Sequence, residues 1–460
     1  LALVCSLLAL PDVVVAWCKI TTPLAFAQKA RVPSTGFFLC SLHRSNSVLK
    51  ISRKRLVLAT ILLLPLVLAM LVLSRSPTTA ASPTPSVREV EAARSLYGKV
   101  RGERESPGPR PVEASWAELD AVAGMGGRAL GFDRVRFVRD GRRGQLRASI
   151  PVGLGFWVNV RGYVEPGRKG ELRVHGHLGR LPVPAFLANG VIALSRQILR
   201  LRGAEVPSLR QMVQQFSLGD AGLAANLDLP RRSRLMSTLS GLQSDSIEPT
   251  RVAGHYCRLI ENQKTAPSED LVEQVRRAFA GGDGTAADNR SVFVALSLLV
   301  AGMDAGSLPE GAGPLRQSCG TSPVPIRLLG REDLAKHWAV SGALTAALGT
   351  HASLSLGTWK EISDSASGGS GFSLVDLAAD RSGTFCAQHG AEGASAMQVR
   401  QWLETVTEAD LLPLSALALA EGLTEAEFRS RYASTDSSEY AATVARIDAS
   451  LAVLIHFQRR

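Results

Sequence analysis

Leu56–Leu73 (LVLATILLLPLVLAMLVL) is the stretch that most restricts how this chain can fold. It holds no charged residue, and as a helix rising ~1.5 Å per residue it would span about 27 Å, close to a bilayer's hydrocarbon core. Arg53, Lys54 and Arg55 stand directly before it, so the positive-inside rule places its N-terminal side in the cytoplasm. Pro65 is compatible, because neighbouring groups can satisfy the carbonyl it frees. A cleaved signal peptide is the competing assignment, with Thr79-Ala80-Ala81 near the far end; signal cores are shorter, usually about 7–15 residues. The run predicts a retained single-pass transmembrane anchor over 51–75, in the inner membrane, with the body of the chain in the periplasm. No lipobox cysteine follows it.

Residues 1–50 show no steady period, and the first Met of the chain is Met70. They are expected to be an extension translated upstream of an alternative start near Val48 or Leu49. Beyond the apolar run, Ser76–Ser86 (SPTTAASPTPS) reads as an extended linker. A second Pro/Gly-rich break spans Gly102–Pro111, so 76–111 is taken as linker, with a short helix at Val87–Val100.

The 460 residues allow two or three domains, at roughly 150 residues each. Apolar residues make up 45% and charged ones 20%, which favours globular structure over disorder. The net charge of +11 raises polyanions as partners. Yet the arginines are scattered between Arg88 and Arg258, with no long run and no interleaved aromatics. No basic stripe on a nucleic-acid module is visible, so no nucleic acid is expected. The six cysteines have no C-x-x-C spacing, which argues against a zinc ribbon or a redox motif. Cys257 and Cys319 are a candidate disulfide pair.

From 112 to 244 the pattern is mixed. Ala114–Ala123 reads as helix; Gln145–Val152, Leu154–Val164 and Glu171–Leu178 read as strands joined by turns such as Pro166-Gly167. Pro184–Arg202 is helical and Ala221–Leu229 a further strand. From 245 to 460 helical spacing takes over, at Ser268–Ala280, Asn289–Met303, Glu332–Leu348, Leu374–Gln388, Ala396–Thr405 and Glu439–His456. The fold class expected is α+β: a membrane anchor, a small α+β domain, then a mostly α-helical C-terminal domain.

Chemistry-bearing residues are densest between Asp333 and Gly383. Asp333, His337 and Ser341 fall at i, i+4 and i+8, on one helix face. Lys360 and Asp364, and then Asp376 and Asp380, repeat the i, i+4 spacing, with Glu361 pointing away from the first pair. Inward carboxylates on two helices, together with His337, could hold a divalent metal or work as an acid–base pair. His337, Lys360, Glu361, Asp364, Asp376 and Asp380 are the catalytic candidates, and His337, Glu361, Asp376 and Asp380 the metal candidates. Ion pairs with Lys360 or Arg381 would explain the same acids without chemistry. The glycine-rich Ser367–Ser373 lacks the lysine of a phosphate loop; it serves to dock Phe372 and to let Ser373 cap the next helix.

The pattern D-x-x-x-H, G-x-x-K-E-x-x-D, S-x-x-D-x-x-A-D-x-x-G resembles an uncharacterised family of proteobacterial envelope proteins, with the likeness running over Thr250–His456. It is also similar, more faintly, to YfiM-type lipoproteins and VanZ-like membrane proteins, which share the His, the Gly-x-x-x-Glu segment and a later Asp. The strand region, with its Gly179–Pro184 corner, resembles membrane-anchored lipid-binding envelope proteins. These resemblances imply an envelope setting and a recurring polar core, and imply no reaction. The functional expectation is a binding or scaffolding protein of the cell envelope, with the inner membrane, envelope lipid or other envelope proteins as partners. The alternative is a periplasmic metal-dependent hydrolase using His337, Glu361, Asp364, Asp376 and Asp380.

Overall fold

A computed structural model describes residues 53–82, 84–104, 109–168, 170–201, 207–228, 247–301, 318–365 and 370–455. The proposed extension at 1–50 lies outside them. Between residues 73 and 227 the chain forms two antiparallel sheets. Strands β1 (Leu73–Ser74), β3 (Val135–Asp140), β4 (Arg143–Pro151), β5 (Trp157–Pro166), β6 (Leu172–Leu178) and β7 (Leu181–Val183) make the larger one, a meander from β3 to β7 with β1 added on β5. Strands β2 (Arg110–Ser115), β8 (Val213–Leu218) and β9 (Gly222–Leu227) make the smaller.

Alternation decides which face is buried. Val135, Leu146 and Ala148 close on Ala123 of a helix at Trp116–Ala129. Val164 and Val174 close on Ala188 of a helix at Ala185–Leu201 and on Phe216 and Ala225 of the smaller sheet. Helices are labelled in chain order, α1 (Arg53–Val72), α2 (Val87–Arg104), α3 (Trp116–Ala129), α4 (Ala185–Leu201) and α5 (Leu209–Met212). The strands β2, β3 and β8 are not visible in the sequence pattern; short, half-buried and carrying several polar residues, they take their pairing from the neighbours they meet.

The anchor expected over Leu56–Leu73 is overturned, and with it the single-pass topology and the inner-membrane placement. No helix among the described residues is long and apolar enough to cross a membrane. The apolar run does not stay one helix. Helix α1 has 20 residues of which the first three are basic, and Leu73 and Ser74 leave it to pair with Val158 and Trp157 of β5. The Leu71 carbonyl accepts from the Arg180 N–H at 2.7 Å. Gly179, at φ +61°, makes this junction possible, because a Cβ there would lie 2.5 Å from the Leu71 and Val72 oxygens. The last turn of the apolar run is thereby used by the sheet.

The segment after it is pinned as well. Thr78 N donates to Asn159 Oδ1 at 3.0 Å, Thr79 N to Ser149 Oγ at 3.1 Å, and Arg134 to the Thr79 carbonyl at 3.0 Å. Helix α2 then joins the two halves of the molecule. Val90 packs with Ile362 and Phe372 of the helical half, and Arg94 donates to Ser363 Oγ at 3.0 Å.

Helix α2 also holds α3. Ser115 and Glu118 form a capping box at the start of α3, and the buried Glu118 carboxylate accepts from Ser95 and from Lys99, both at 2.7 Å. Burial works to raise the Glu118 pKa, but Lys99, Ser95 and Ser115 outweigh it and pull it down to about 2. A depressed carboxyl stabilises the fold above its unfolded pKa and loses that contribution as pH falls through the folded value. Glu118→Gln should therefore lower stability by about 2 kcal/mol at neutral pH. Denaturant melts at a series of pH values should show the gap to wild type closing as pH drops from ~4.5 towards ~2.

From residue 247 on, helices build the second half: α6 (Pro249–Thr265), α7 (Leu271–Ala280), α8 (Ala286–Ala301), α9 (Glu332–Leu348), α10 (Thr350–Ser365), α11 (Leu374–Ala391), α12 (Ala396–Leu403), α13 (Glu408–Leu411), α14 (Glu425–Tyr432) and α15 (Ser438–Ile455). The mixed α+β fold, a sheet region followed by a helical one, agrees with the expectation from sequence. Phe279, Phe293 and Trp338 form the aromatic centre, with ring centroids 5.2 and 6.0 Å apart. Cys257 and Cys319 are bonded, their Cα atoms 5.2 Å apart, within the span a disulfide bridges. Cys386 is a buried thiol, pushed up to about 12 by desolvation. Thr424 caps α14, with a reciprocal Glu427.

Candidate functional site

Three helices supply the polar cluster: α9, α10 and α11. Alanines and glycines on their facing sides let the backbones approach closely. A Cβ on Gly383 of α11 would sit 2.0 Å from the Trp338 carbonyl oxygen of α9. On α10, a Cβ on Gly357 would meet Asp380 Oδ2 at 2.9 Å. The small residues in effect set the distance at which acid and base meet.

His337 of α9 stands between two carboxylates of α11. Its Nδ1 lies 3.0 Å from Asp380 Oδ1 and its Nε2 3.3 Å from Asp376 Oδ2. Ser341, one turn on, donates to the same Asp380 oxygen at 2.6 Å. Glu361 of α10 is fully buried. Its Oε2 accepts from the backbone N–H of Ser373 at 3.1 Å and its Oε1 from Lys360 at 3.0 Å. Lys360 also reaches Asp364 at 2.8 Å, and its side chain is the half-exposed rim of the cluster.

The electrostatics follow from this crowding. Burial works against a charged His337 ring, but the carboxylates of Asp376 and Asp380 outweigh it and hold the imidazole at about 10. Burial pushes Glu361 up to about 7, with Lys360 and His337 pulling the other way. Burial also opposes the Lys360 charge, and Glu361 and Asp364 more than compensate, so the ammonium is held above its usual range.

Two carboxylate oxygens of the cluster are buried without a hydrogen-bond partner, Asp376 Oδ1 and Asp380 Oδ2; the first faces Arg331 at 3.6 Å, the second faces His337 and Glu361. A donor atom from each of His337, Glu361 and Asp380 lies within 4.8 Å of the others. This set, one imidazole nitrogen and two carboxylates around an orphaned oxygen, has the composition of a first-row divalent metal site. With Nδ1 turned to an ion, Nε2–H would remain on Asp376, the carboxylate partner that ligating histidines usually have.

Of the residues singled out by sequence, the structure brings together His337, Ser341, Lys360, Glu361, Asp376 and Asp380. Asp364 joins only through Lys360. Glu361 does not point away from Lys360 as expected, but into the core, and the flexible lysine serves both acids. Asp333 is not at the site: it pairs with Arg331, as does Glu421. These acids hold the Arg331 guanidinium above its usual range, and Arg331 approaches Asp376 at 3.6 Å. Arg381, expected to neutralise the cluster, pairs instead with Asp448. The glycine-rich connection behaves as read from sequence where it is described: Phe372 is buried and Ser373 caps α11 through the Asp376 N–H.

Gly357 was missed, although it stands four residues before Glu361 and so shares its helix face. A second buried pair, His255–Asp288 at 2.8 Å, was also missed. There Arg258 contacts the other ring nitrogen, and Asp288 Oδ2 accepts from Asp283 N at 2.9 Å. With its polar atoms partnered, that pair reads as a structural clamp.

No protein-family model matches the chain, and neither a curated protein nor a solved structure does.

Proposed function

We propose that the helical half binds one divalent cation through His337, Glu361 and Asp380, and that the ion cross-links α9, α10 and α11 in a protein whose role is binding or scaffolding. The observation that carries this is the buried, unpartnered Asp380 Oδ2 facing two other ligand-type residues. Zinc or manganese suits the mixed nitrogen and carboxylate set better than calcium or magnesium. Three protein ligands leave a coordination position open, as catalytic sites do; what supports holding helices over metal-dependent hydrolysis is that His337, Glu361 and Asp380 are all buried, which leaves a substrate little access. The envelope families that the Asp333–Gly383 pattern resembles would share this cation site if the resemblance is one of descent.

Thermal melts of metal-stripped protein with and without zinc, manganese, magnesium or calcium test the proposal. An ion at 100 times its Kd stabilises by about 2.7 kcal/mol, so zinc or manganese should raise Tm by roughly 5 °C. Asp380→Asn should abolish the shift, and elemental analysis should find one equivalent of metal in wild type only. A wild type that retains no metal and melts at the same temperature with every ion would overturn it.

A further inference from the structure

The larger sheet has one face buried against α3, α4 and the smaller sheet. Its other face carries Arg136 on β3, Arg147 on β4, Arg161 on β5 and His177 on β6. Strand register places these four side by side: Arg136 opposite Arg147, Arg147 opposite Arg161, and Arg161 opposite His177. At about 4.8 Å between strands, they form a basic row some 14 Å long across the sheet. Like charges directly opposite one another destabilise a sheet, and little on this face offsets them. Arg136 is paired with Asp120 at 2.5 Å. Arg147 reaches only the neutral Gln145. The exposed Arg161 side chain has no hydrogen-bond or ion-pair partner among the described residues, and His177 Nδ1 is buried without one.

The adjacent row on the same face holds Val138, Gln145, Tyr163 and His175. Tyr163 and His175 are stacked, with centroids 5.2 Å apart. The row beyond that alternates in sign: Arg143 lies opposite Glu165, with an ion pair at 3.0 Å, and Glu165 opposite Arg173. One row is therefore self-neutralised, while the other is left positive beside a pair of rings.

We propose that the part of this sheet face left uncovered by the Ser76–Thr79 segment, which packs on Ser149 and Asn159, binds single-stranded nucleic acid, its phosphates along the Arg136–Arg147–Arg161–His177 row and a base against the Tyr163–His175 pair. A basic track flanked by aromatic rings is what sequence-tolerant single-strand binding uses, and the chain's net charge of +11 favours such encounters. A headgroup layer or a bare polyphosphate would use the guanidinium row and have no use for the rings. The sequence-based expectation of no nucleic acid rested on scattered arginines without aromatics. Pairing of β3 to β6 gathers both.

The test is fluorescence anisotropy of the full chain with a labelled single-stranded DNA dodecamer across a salt series. Wild type should bind at low salt, with log K falling against log salt by about 0.7 per phosphate contacted. Arg147→Ala/Arg161→Ala should weaken binding at least tenfold and flatten the slope by about 1.4, while melting at or above the wild-type temperature because the opposed charges are gone. Arg147→Gln/Arg161→Gln, which keeps side-chain length, should do the same, and Arg429→Ala on α14 should change nothing. Tyr163→Leu should weaken binding with the slope intact. No binding at low salt, or unchanged binding by both double variants, would overturn the proposal. So would inorganic polyphosphate or anionic lipid vesicles binding as tightly as DNA with Tyr163→Leu without effect, an outcome that assigns the row to a different polyanion.

Discussion

His337→Ala should destabilise the metal-free protein by about 3–5 kcal/mol at neutral pH, the loss typical of removing one partner from a buried ion pair. The ring is the counter-charge to both Asp376 and Asp380, which α11 holds in the core at fixed positions. Without it, Asp380 keeps only the Ser341 hydroxyl, and its second oxygen already lacks a partner. The double variant His337→Leu/Asp380→Leu removes both charges and should be less destabilised than the sum of its parts, because apolar replacement of a whole buried pair is often close to neutral. Urea denaturation of the two single variants and the double one completes the cycle. A His337→Ala protein within about 0.5 kcal/mol of wild type would mean that the cluster is hydrated and loosely held.

Gly383→Ala is expected to be comparably severe, through a different cause. Its added methyl would fall 2.0 Å from the Trp338 carbonyl oxygen and 2.8 Å from the carbonyl carbon. These are backbone atoms of a helix in the core, so α9 and α11 must separate. Overpacking of this kind costs about 3 kcal/mol or more. The same separation draws His337 away from Asp380, so the variant should also lose any stabilisation by zinc or manganese. Gly254→Ala on α6 is the control, since no atom lies within 4 Å of its Cβ position. There the better helix propensity of alanine should leave stability unchanged or raise it by up to ~1 kcal/mol. Thermal melts of both variants with and without metal separate steric strain from the propensity of the residue.

Much of the helical half could be read directly. Glu332–Leu348 follows its spacing to the residue, and Ser373 and Thr424 cap where their chemistry says they should, because periodicity and capping are local properties of the chain. The small sheet was less legible. Arg110–Ser115 and Val213–Leu218 gain their strand character from Leu223, Ala225 and Leu227 across the ladder. Helix α10 (Thr350–Ser365) was not marked out as an element because its buried face is mostly serine, glycine and alanine, with Ile362 its one large apolar residue and Glu361 a charged one, and so carries little hydrophobic signal. The apolar run misled most. Hydrophobicity says that Leu73 avoids water, not whether it does so in lipid or on β5.

His337, Asp376 and Asp380 were identifiable as chemistry-bearing from residue type and i, i+4 spacing, since that places them on a helix face without knowledge of the partner helix, whereas Glu361 was singled out by residue type and assigned the wrong direction. The sequence by itself thus determined a mixed fold and a polar stretch in its helical half. Only the tertiary structure decided that Asp333 and Arg381 pair elsewhere, that Glu361 turns inward, and that Asp380 keeps an unmatched oxygen. It likewise decided that arginines far apart in the chain share one row. The physical reason is the same in each case: charge and hydrogen bonding act over a few ångströms, and the packing of helices and the register of strands set which groups come that close.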